Sequence, residues 1–291
     1  MPGLCGGSAD LTPSNKTYIN NSARLCLENF ACRNFHFGIR EHAMGGVMNG
    51  ISLYGGFIPY GGTFLVFSDY IRPPIRLSAL MEQQVIYVYT HDSFYVGEDG
   101  PTHQPVEHLN ALRAIPNIRL FRPADGVETA MAWAFAIRRT DGPTILSLTR
   151  QGVPTVRAEA DGNRSARGAY VLAEPDRPRA LTLLATGSEV SLALAAKAEL
   201  DAAGVPTAVV SMPCWELFER QSAAYRAEVL GSAPRLAVEA ASTFGWTRYV
   251  ASEDHVVGMT GFGASAPAPA LFAHFELTAE RVVERGRALA T

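Results

Sequence analysis

The sequence lacks the features that would direct it to a membrane, out of the cell or onto nucleic acid. No segment reaches the roughly 20 consecutive apolar residues that span a bilayer, and the first residues, Met1 to Leu4, have neither the basic region nor the apolar run of a secretory signal. The 25 Lys and Arg residues are outnumbered by 28 Asp and Glu residues, which leaves no basic surface for nucleic acid. We therefore expect a cytoplasmic protein that binds neither membrane nor nucleic acid.

Cysteine is scarce as well, with four in 291 residues. Cys5, Cys26, Cys32 and Cys214 lack the paired spacing that is typical of zinc ligands. In a reducing compartment the simplest interpretation is four free thiols.

The chain is long enough, and with 47% hydrophobic residues apolar enough, for two domains with full cores. Helical patterns alternate with short β-branched or aromatic runs, and this alternation predicts βα units and largely parallel sheets. In the first half we predict a helix over 40–53, a strand over 57–60, a helix over 64–80, strands over 85–90 and 118–121, a helix over 125–139 and a strand over 144–148. Pro73 and Pro74 should kink or interrupt the helix over 64–80.

Residues 151–169 are rich in Gly, Arg and Asp and lack apolar periodicity, which is typical of a linker. We predict a first domain over 1–155, a linker over 156–168 and a second domain over 169–291. In the second domain, Thr186-Gly187-Ser188-Glu189 follows a predicted strand over 181–185. It is interpreted as a helix cap, with anion binding as the alternative.

The run from Gly97 to Pro105 places two acids and a histidine between turn-forming residues, after the apolar strand over 85–90. His91 follows that strand directly. Because open parallel sheets bind ligands beyond the carboxyl ends of their strands, His91 and His103 can converge there. The alternative is a solvated polar loop.

Three further features upstream and downstream could belong to the same site. Glu41 begins the Gly-rich helix, where the helix dipole alone could explain an acid. However, the glycines nearby favour close packing of the backbone. We therefore expect the Glu41 carboxyl to be buried and able to exchange a proton with a nitrogen heterocycle. Phe64, Phe67 and Tyr70 recur every three residues, so on one helix they would share a face that could line a flat aromatic ligand or simply belong to the core. Arg150, at the end of a strand, suits a phosphate or carboxylate, or a surface salt bridge.

Several ordered motifs resemble those of the transketolase family. They are GGSADLTPSN (6–15), GIREHAMG (38–45), YTHDS (89–93) and GEDGPTHQP (97–105), followed by LTRQ (148–151), ATGSEV (185–190) and GFGAS (261–265). The resemblance implies an α/β fold of two doubly wound domains, a pyrimidine-binding domain for thiamine diphosphate followed by a transketolase C-terminal domain.

The resemblance also implies a role for each matching residue. Glu41 would hydrogen-bond N1′ of the aminopyrimidine of thiamine diphosphate, and the catalytic residues would be Glu41, His91 and His103. The cofactor would be bound by Glu41, Phe64, Phe67, Tyr70, Asp10 and Leu11, the last two near the thiazolium ring. The substrate would be bound by Asp99 and His103 at sugar hydroxyls and by Ser14, His91 and Arg150 at the sugar phosphate.

Full-length members of the family have a Gly-Asp-Gly motif in the magnesium site of their diphosphate-binding domain. This chain departs from the family, since it has no Gly-Asp-Gly triplet. We therefore expect no metal on this chain, and we expect a separate diphosphate-binding N-terminal subunit to hold Mg²⁺ and the diphosphate. A pyrimidine domain that begins within its first strand should leave an open sheet edge and uncovered apolar surface, which require a partner. The assembly would be a hetero-oligomer, plausibly of two plus two chains.

Two alternatives stay open at this point. One is a decarboxylating relative, such as deoxyxylulose-phosphate synthase or the beta-type subunit of a 2-oxoacid dehydrogenase, which shares the role of Glu41. The other is a truncated chain that acts as a non-catalytic regulatory subunit.

Overall fold

The computed structural model describes residues 1–157 and 162–290. The predicted fold is confirmed, with two α/β units whose sheets are almost entirely parallel. Part of the predicted linker over 156–168 lies outside the described residues. The described part of this linker contains a single 3-10 turn, Arg164–Arg167. Within the described part of the chain, no helix combines the length and the apolar character needed to cross a membrane.

The first unit contains six strands and five helices. They are β1 (Leu4–Ser8), α1 (Thr12–Asn15), β2 (Asn34–His36), α2 (Glu41–Tyr54), β3 (Ile58–Phe64), α3 (Ser68–Leu80), β4 (Ile86–Thr90), α4 (His108–Arg113), β5 (Arg119–Phe121), α5 (Gly126–Arg138) and β6 (Thr144–Leu148). The strands lie in the order β2-β1-β3-β4-β6-β5, and each neighbouring pair is parallel.

The second unit contains five strands and five helices. They are β7 (Tyr170–Ala173), β8 (Leu181–Ala185), α6 (Glu189–Ala202), β9 (Thr207–Ser211), α7 (Trp215–Phe218), α8 (Ala223–Leu230), β10 (Arg235–Ser242), β11 (Val256–Met259), α9 (Ala268–His274) and α10 (Ala279–Ala290). The strand order is β11-β10-β8-β9-β7, with β7 antiparallel to β9.

Both sheets are covered on both faces. Along β4, Tyr87 and Tyr89 belong to one buried cluster, whereas Ile86 and Val88 belong to another on the opposite face. Successive side chains of a strand point to opposite faces, so a continuous apolar run identifies a strand buried on both sides.

The four cysteines are free thiols, and Cys5 and Cys214 are buried.

Helices α2 and α3 pack closely against each other. A Cβ atom on Gly45 would lie 2.5 Å from Cβ of Pro74, so only glycine permits this approach. Gly46 and Gly50 face open space instead. Close packing was predicted for the glycines near Glu41, Gly45, Gly46 and Gly50, and this prediction is wrong for Gly46 and Gly50. Pro73 and Pro74 lie inside α3 without interrupting it, so of the predicted kink or interruption the interruption is wrong.

The edges of the first sheet are formed by two short strands. Strand β1 is paired on both sides, and β2 and β5 lie at the two edges. Large exposed apolar side chains lie in the segments flanking β2, as Leu27, Phe30 and Ile39, and at the end of α2, as Tyr54. Monomeric proteins rarely expose a large contiguous apolar patch unless it contacts something.

Candidate functional site

The carboxyl ends of β1, β3, β4 and β6 meet at one edge of the first sheet. Phe64 is in register with Thr90 of β4, and Thr90 is in register with Leu148 of β6. The residues that follow these strand ends therefore start from adjacent positions. This is the edge at which open α/β sheets bind ligands.

Three aromatic rings form a stack at this edge. Phe64 ends β3, Phe67 lies in a 3-10 turn over Leu65–Phe67 and Tyr70 lies in α3, so the prediction that they share one helix is wrong. The rings nevertheless follow one another, with centroids 5.9 Å apart at 11° between Phe64 and Phe67 and 6.0 Å apart between Phe67 and Tyr70. Tyr70 is 64% exposed, so the outer end of this aromatic wall is open.

Glu41 is the first residue of α2 and is partly exposed. The predicted burial of this carboxyl is therefore not found in the chain alone. Tyr89, in the core beneath, has a buried hydroxyl without a hydrogen-bond partner among the described residues. Burial, followed by the charges of Tyr87 and Glu41, raises the pKa of Tyr89, which places Glu41 within electrostatic reach of that strand.

His91 is held in an unusual backbone conformation. Its φ angle is +60°, in the left-handed region that few residues other than glycine adopt. The imidazole stacks on the ring of Phe64, with centroids 3.7 Å apart and 24° between the planes. The residue is only 8% exposed, so the ring is fixed by packing rather than free at the surface.

A chain of hydrogen bonds also fixes the proton on His91. Ser8 Oγ donates to Asn15 Oδ1 at 2.7 Å, Asn15 Nδ2 donates to Thr90 Oγ1 at 2.6 Å, and Thr90 Oγ1 lies 2.8 Å from His91 Nδ1. Asn15 Nδ2 is a donor, so of the two groups that Thr90 Oγ1 contacts among the described residues only His91 Nδ1 can accept its proton. With that bond made, the neutral imidazole carries its proton on Nε2 and can donate it to a ligand.

The electrostatics favour this neutral form. Burial, followed by the nearby guanidinium of Arg150, lowers the pKa of His91 to about 4. Asp99 and His103 also act on the charge of His91, so all four groups lie at one place. Of these, Asp99 and Arg150 are exposed, as expected for groups that contact a soluble substrate.

The remaining predicted residues surround this cluster. His103 lies edge-on to Phe67, with ring centroids 5.5 Å apart. Asp10 follows β1 with φ of +63°, and the backbone N–H of Leu11 donates to Ser8 Oγ at 3.1 Å. Ser14 is exposed on α1, next to the buried Asn15.

Sequence reasoning missed four residues that build the site. Asn15 and Thr90 orient His91, and Asp92 is held by Arg122 through a 2.8 Å bond from Nε to Oδ2. Asn15, Thr90 and Asp92 lie within motifs that the sequence singles out. Arg122 has no local signal, because its partners are 30 and 67 residues away.

Among the described residues, Asp69, Glu107 and His108 have the spacing of a metal site. However, His108 Nε2 lies 3.2 Å from Asp69 and Nδ1 lies 3.8 Å from Glu107. The two ring nitrogens of His108 thus face different acids. Both acids are exposed, and exposed acidic groups are common without an ion, so we assign no metal to the cluster.

Comparison with known proteins identifies the family. Residues 1–155 match the model of the transketolase pyrimidine-binding domain, and residues 168–278 match that of the transketolase-like C-terminal domain. The chain belongs to the transketolase family. It is 58% identical over 288 residues to a transketolase from Cereibacter sphaeroides, with 99% of this chain and 44% of that protein covered.

Solved transketolases have the same fold. A complex of the Pichia stipitis enzyme with sedoheptulose 7-phosphate superimposes with a TM-score of 0.94 at 44% identity, and covers 100% of this chain but 43% of that one. A split-gene transketolase described as an inactive beta4 tetramer superimposes with a TM-score of 0.80 at 28% identity. There, 99% of this chain and 92% of the other are covered. The chain thus spans less than half the length of the curated relatives but nearly the whole of the split-gene subunit.

Proposed function

We propose that this chain is a subunit of a thiamine-diphosphate-dependent transketolase, which transfers a two-carbon ketol unit from a ketose phosphate to an aldose phosphate. The observation that carries the proposal is the convergence of the aromatic wall, Glu41 and the His91 cluster at one sheet edge. The domain boundaries we propose are 1–155 and 169–291, joined by 156–168.

The residues present suit the aminopyrimidine half of thiamine diphosphate. The wall of Phe64, Phe67 and Tyr70 offers stacked aromatic surface with an open outer end, and Glu41 offers a carboxylate for N1′. When bound, this cofactor would supply nucleophilic carbon chemistry toward the ketose carbonyl. Glu41 holds and returns the proton at N1′, and burial under a partner would strengthen that hydrogen bond. We place Asp10 and Leu11 beside the thiazolium ring.

The substrate side divides between hydroxyl and phosphate recognition. Asp99 and His103 contact the sugar hydroxyls, and His103 can also move a proton there. Ser14, Arg150 and His91 bind the phosphate, where Arg150 supplies the charge and the neutral His91 donates from Nε2. Such directional donors fix one end of the sugar, so that its carbonyl end lies at the cofactor.

A second chain completes the site in this proposal. The exposed apolar residues of the first unit, with Tyr70, Ile39 and Tyr54 among them, are suited to contact it. The partner is a diphosphate-binding N-terminal transketolase subunit, which holds Mg²⁺ and the diphosphate, in a hetero-oligomer plausibly of two plus two chains. The inactive tetramer of a split-gene relative supports the view that such a chain does not work alone.

The test is reconstitution from two purified chains. We expect this chain alone to bind thiamine diphosphate weakly and to show no ketol transfer from xylulose 5-phosphate, and the mixture with a diphosphate-binding subunit to show both. Full activity of this chain alone would contradict the need for a partner subunit. A mixture without ketol transfer would contradict the proposed enzyme activity.

A second assay in the same mixture separates the related reactions. Release of carbon dioxide from pyruvate, without glycolaldehyde transfer from xylulose 5-phosphate, would replace ketol transfer by decarboxylation. Neither reaction, with the cofactor nevertheless bound, would indicate a regulatory subunit.

A further inference from the structure

The motif Thr186-Gly187-Ser188-Glu189 does not cap a helix through its side chains. Helix α6 begins at Glu189, and its N-cap residue Ser188 makes no side-chain capping bond, so the predicted cap is wrong. Instead the motif receives Arg122 from the first unit. Arg122 Nη1 donates to Thr186 O at 3.1 Å and to Thr186 Oγ1 at 3.0 Å, and it forms an ion pair with Glu189.

This receptor is shaped for a guanidinium. A Cβ atom on Gly187 would lie 2.8 Å from Cζ of Arg122, so glycine leaves the space that the arginine fills. Arg122 is fully buried, and its backbone oxygen accepts from Gly187 N at 3.0 Å. The two units are therefore joined through side chain and backbone at the same residue.

The other end of Arg122 holds the segment that carries His91. Nε donates to Asp92 Oδ2 at 2.8 Å, and Asp92 directly follows the left-handed His91. A non-glycine residue in that region persists only where its surroundings determine it. Thr90 and Phe64 hold the His91 ring from the first unit, while Arg122 anchors the next residue to the second.

The charges around Arg122 make this anchor specific. Asp92, Glu189 and Glu239 are buried carboxylates, and Arg113 pairs with Glu239 through bonds of 2.7 and 3.0 Å. Although burial opposes it, Arg113 lowers the pKa of Glu239. Arg122 thus places its single positive charge between Asp92 and Glu189, and burial raises the pKa of Glu189. A buried charge without a partner is strongly destabilising.

The second unit also grips the loop after His91. Gln104 Nε2 donates to Gly97 O at 2.9 Å and to Ala264 O at 2.8 Å. Ser265 Oγ donates to Glu98 O at 2.5 Å. The loop with Asp99 and His103 is therefore hydrogen-bonded at both ends to the GFGAS motif, through Ser265 at Glu98 and through Ala264 at Gln104.

We propose that the C-terminal domain positions the substrate half of the site: the Thr186-Gly187-Glu189 receptor holds Arg122, which holds Asp92 and so fixes the ring of His91 over Phe64. Arg122 is a positioning residue in this scheme, since it touches no substrate. The link to substrate rests on the proposed function, but the link to His91 is a property of this chain alone.

The experiment therefore has two arms. In the chain alone, NMR of the His91 ring protons reports the stack on Phe64, because ring current shifts them upfield. In the reconstituted enzyme, kcat and KM are measured for a phosphorylated ketose and for the same ketose without its phosphate. The variants are Arg122→Lys, which keeps the charge but loses the fork, and Thr186→Val, which removes one acceptor from the receptor at nearly constant volume.

The matched control is Tyr170→Phe. Tyr170 of β7 donates to the buried Glu128 of the first unit at 2.6 Å, so this variant also breaks a bond between the units, but on another contact that does not involve Asp92. It should lower the Tm without altering the His91 signals or either KM.

We expect Arg122→Lys to move the His91 ring protons downfield and to raise KM for the phosphorylated ketose about tenfold, the typical worth of a hydrogen bond to a charged group. KM for the unphosphorylated ketose should stay within about twofold, and Thr186→Val should show the same pattern more weakly. Unchanged His91 signals in both variants, or equal changes in Tyr170→Phe, would overturn the proposal. If no mixture transfers ketol, the proposed function fails, while the NMR arm still decides the positioning role.

Discussion

The two sides of the candidate site are built differently. On the proposed substrate side, His91 is buried, stacked on Phe64 and hydrogen-bonded through Thr90 to Asn15. On the proposed cofactor side, Glu41 is partly exposed and Tyr70 is largely exposed. The difference teaches that the groups proposed for the substrate are held by packing within this chain, whereas those proposed for the cofactor lie at its surface.

The largest expected effect concerns the cofactor side. In the reconstituted enzyme, Glu41→Gln should lower kcat by about 100-fold or more, because a positioned proton-transfer group is typically worth 10²–10⁴-fold. The matched control is Glu280→Gln, which also removes an acid from the first turn of a helix, α10. Steady-state rates of ketol transfer measure this effect. A change in kcat within twofold for Glu41→Gln would contradict a role in proton transfer and leave Glu41 only its favourable interaction with the helix dipole.

The next effect separates the two sides by stability. In the chain alone, Phe64→Ala should cost ~3–5 kcal/mol of unfolding free energy, since a buried phenylalanine leaves a cavity when truncated. Tyr70→Ala should change it by less than about 0.5 kcal/mol, because the ring is mostly in solvent. Chemical denaturation of both variants measures the contrast, and equal losses would mean that the outer ring is already held within this chain.

The smallest expected effect is a lack of response to pH. With a pKa of about 4, His91 stays neutral above pH 5, so its donor role should not change between pH 5 and 8. An unfolded histidine titrates near 6.5, so the unfolded state binds the extra proton first, and the contribution of His91 to stability, complete above about pH 6.5, declines as the pH falls towards 4. NMR titration of His91, assigned with His91→Gln, checks the midpoint; a value above 6 would contradict the buried neutral ring.

The strands and helices were largely predictable, because their signals are local. The apolar run of β4 and the helix over Glu41–Tyr54 follow the sequence pattern closely, and Asp125 accepts from Glu128 N as a helix cap should. The predictions failed where tertiary contacts override local preference. Pro73 and Pro74 are accommodated within α3, and α2 packs against Pro74 through Gly45.

By itself, the sequence determined the fold class and the family and named the candidate residues of the site, because motifs and hydrophobic periods are written along the chain. Only the tertiary structure decided that Phe64, Phe67 and Tyr70 come together from three different elements, that Thr90 selects the tautomer of His91, and that Thr186 and Glu189 receive Arg122. The physical reason is that hydrogen bonds, ring stacking and ion pairs depend on distances between residues far apart in sequence, and those distances are set only when the two sheets have formed and packed together.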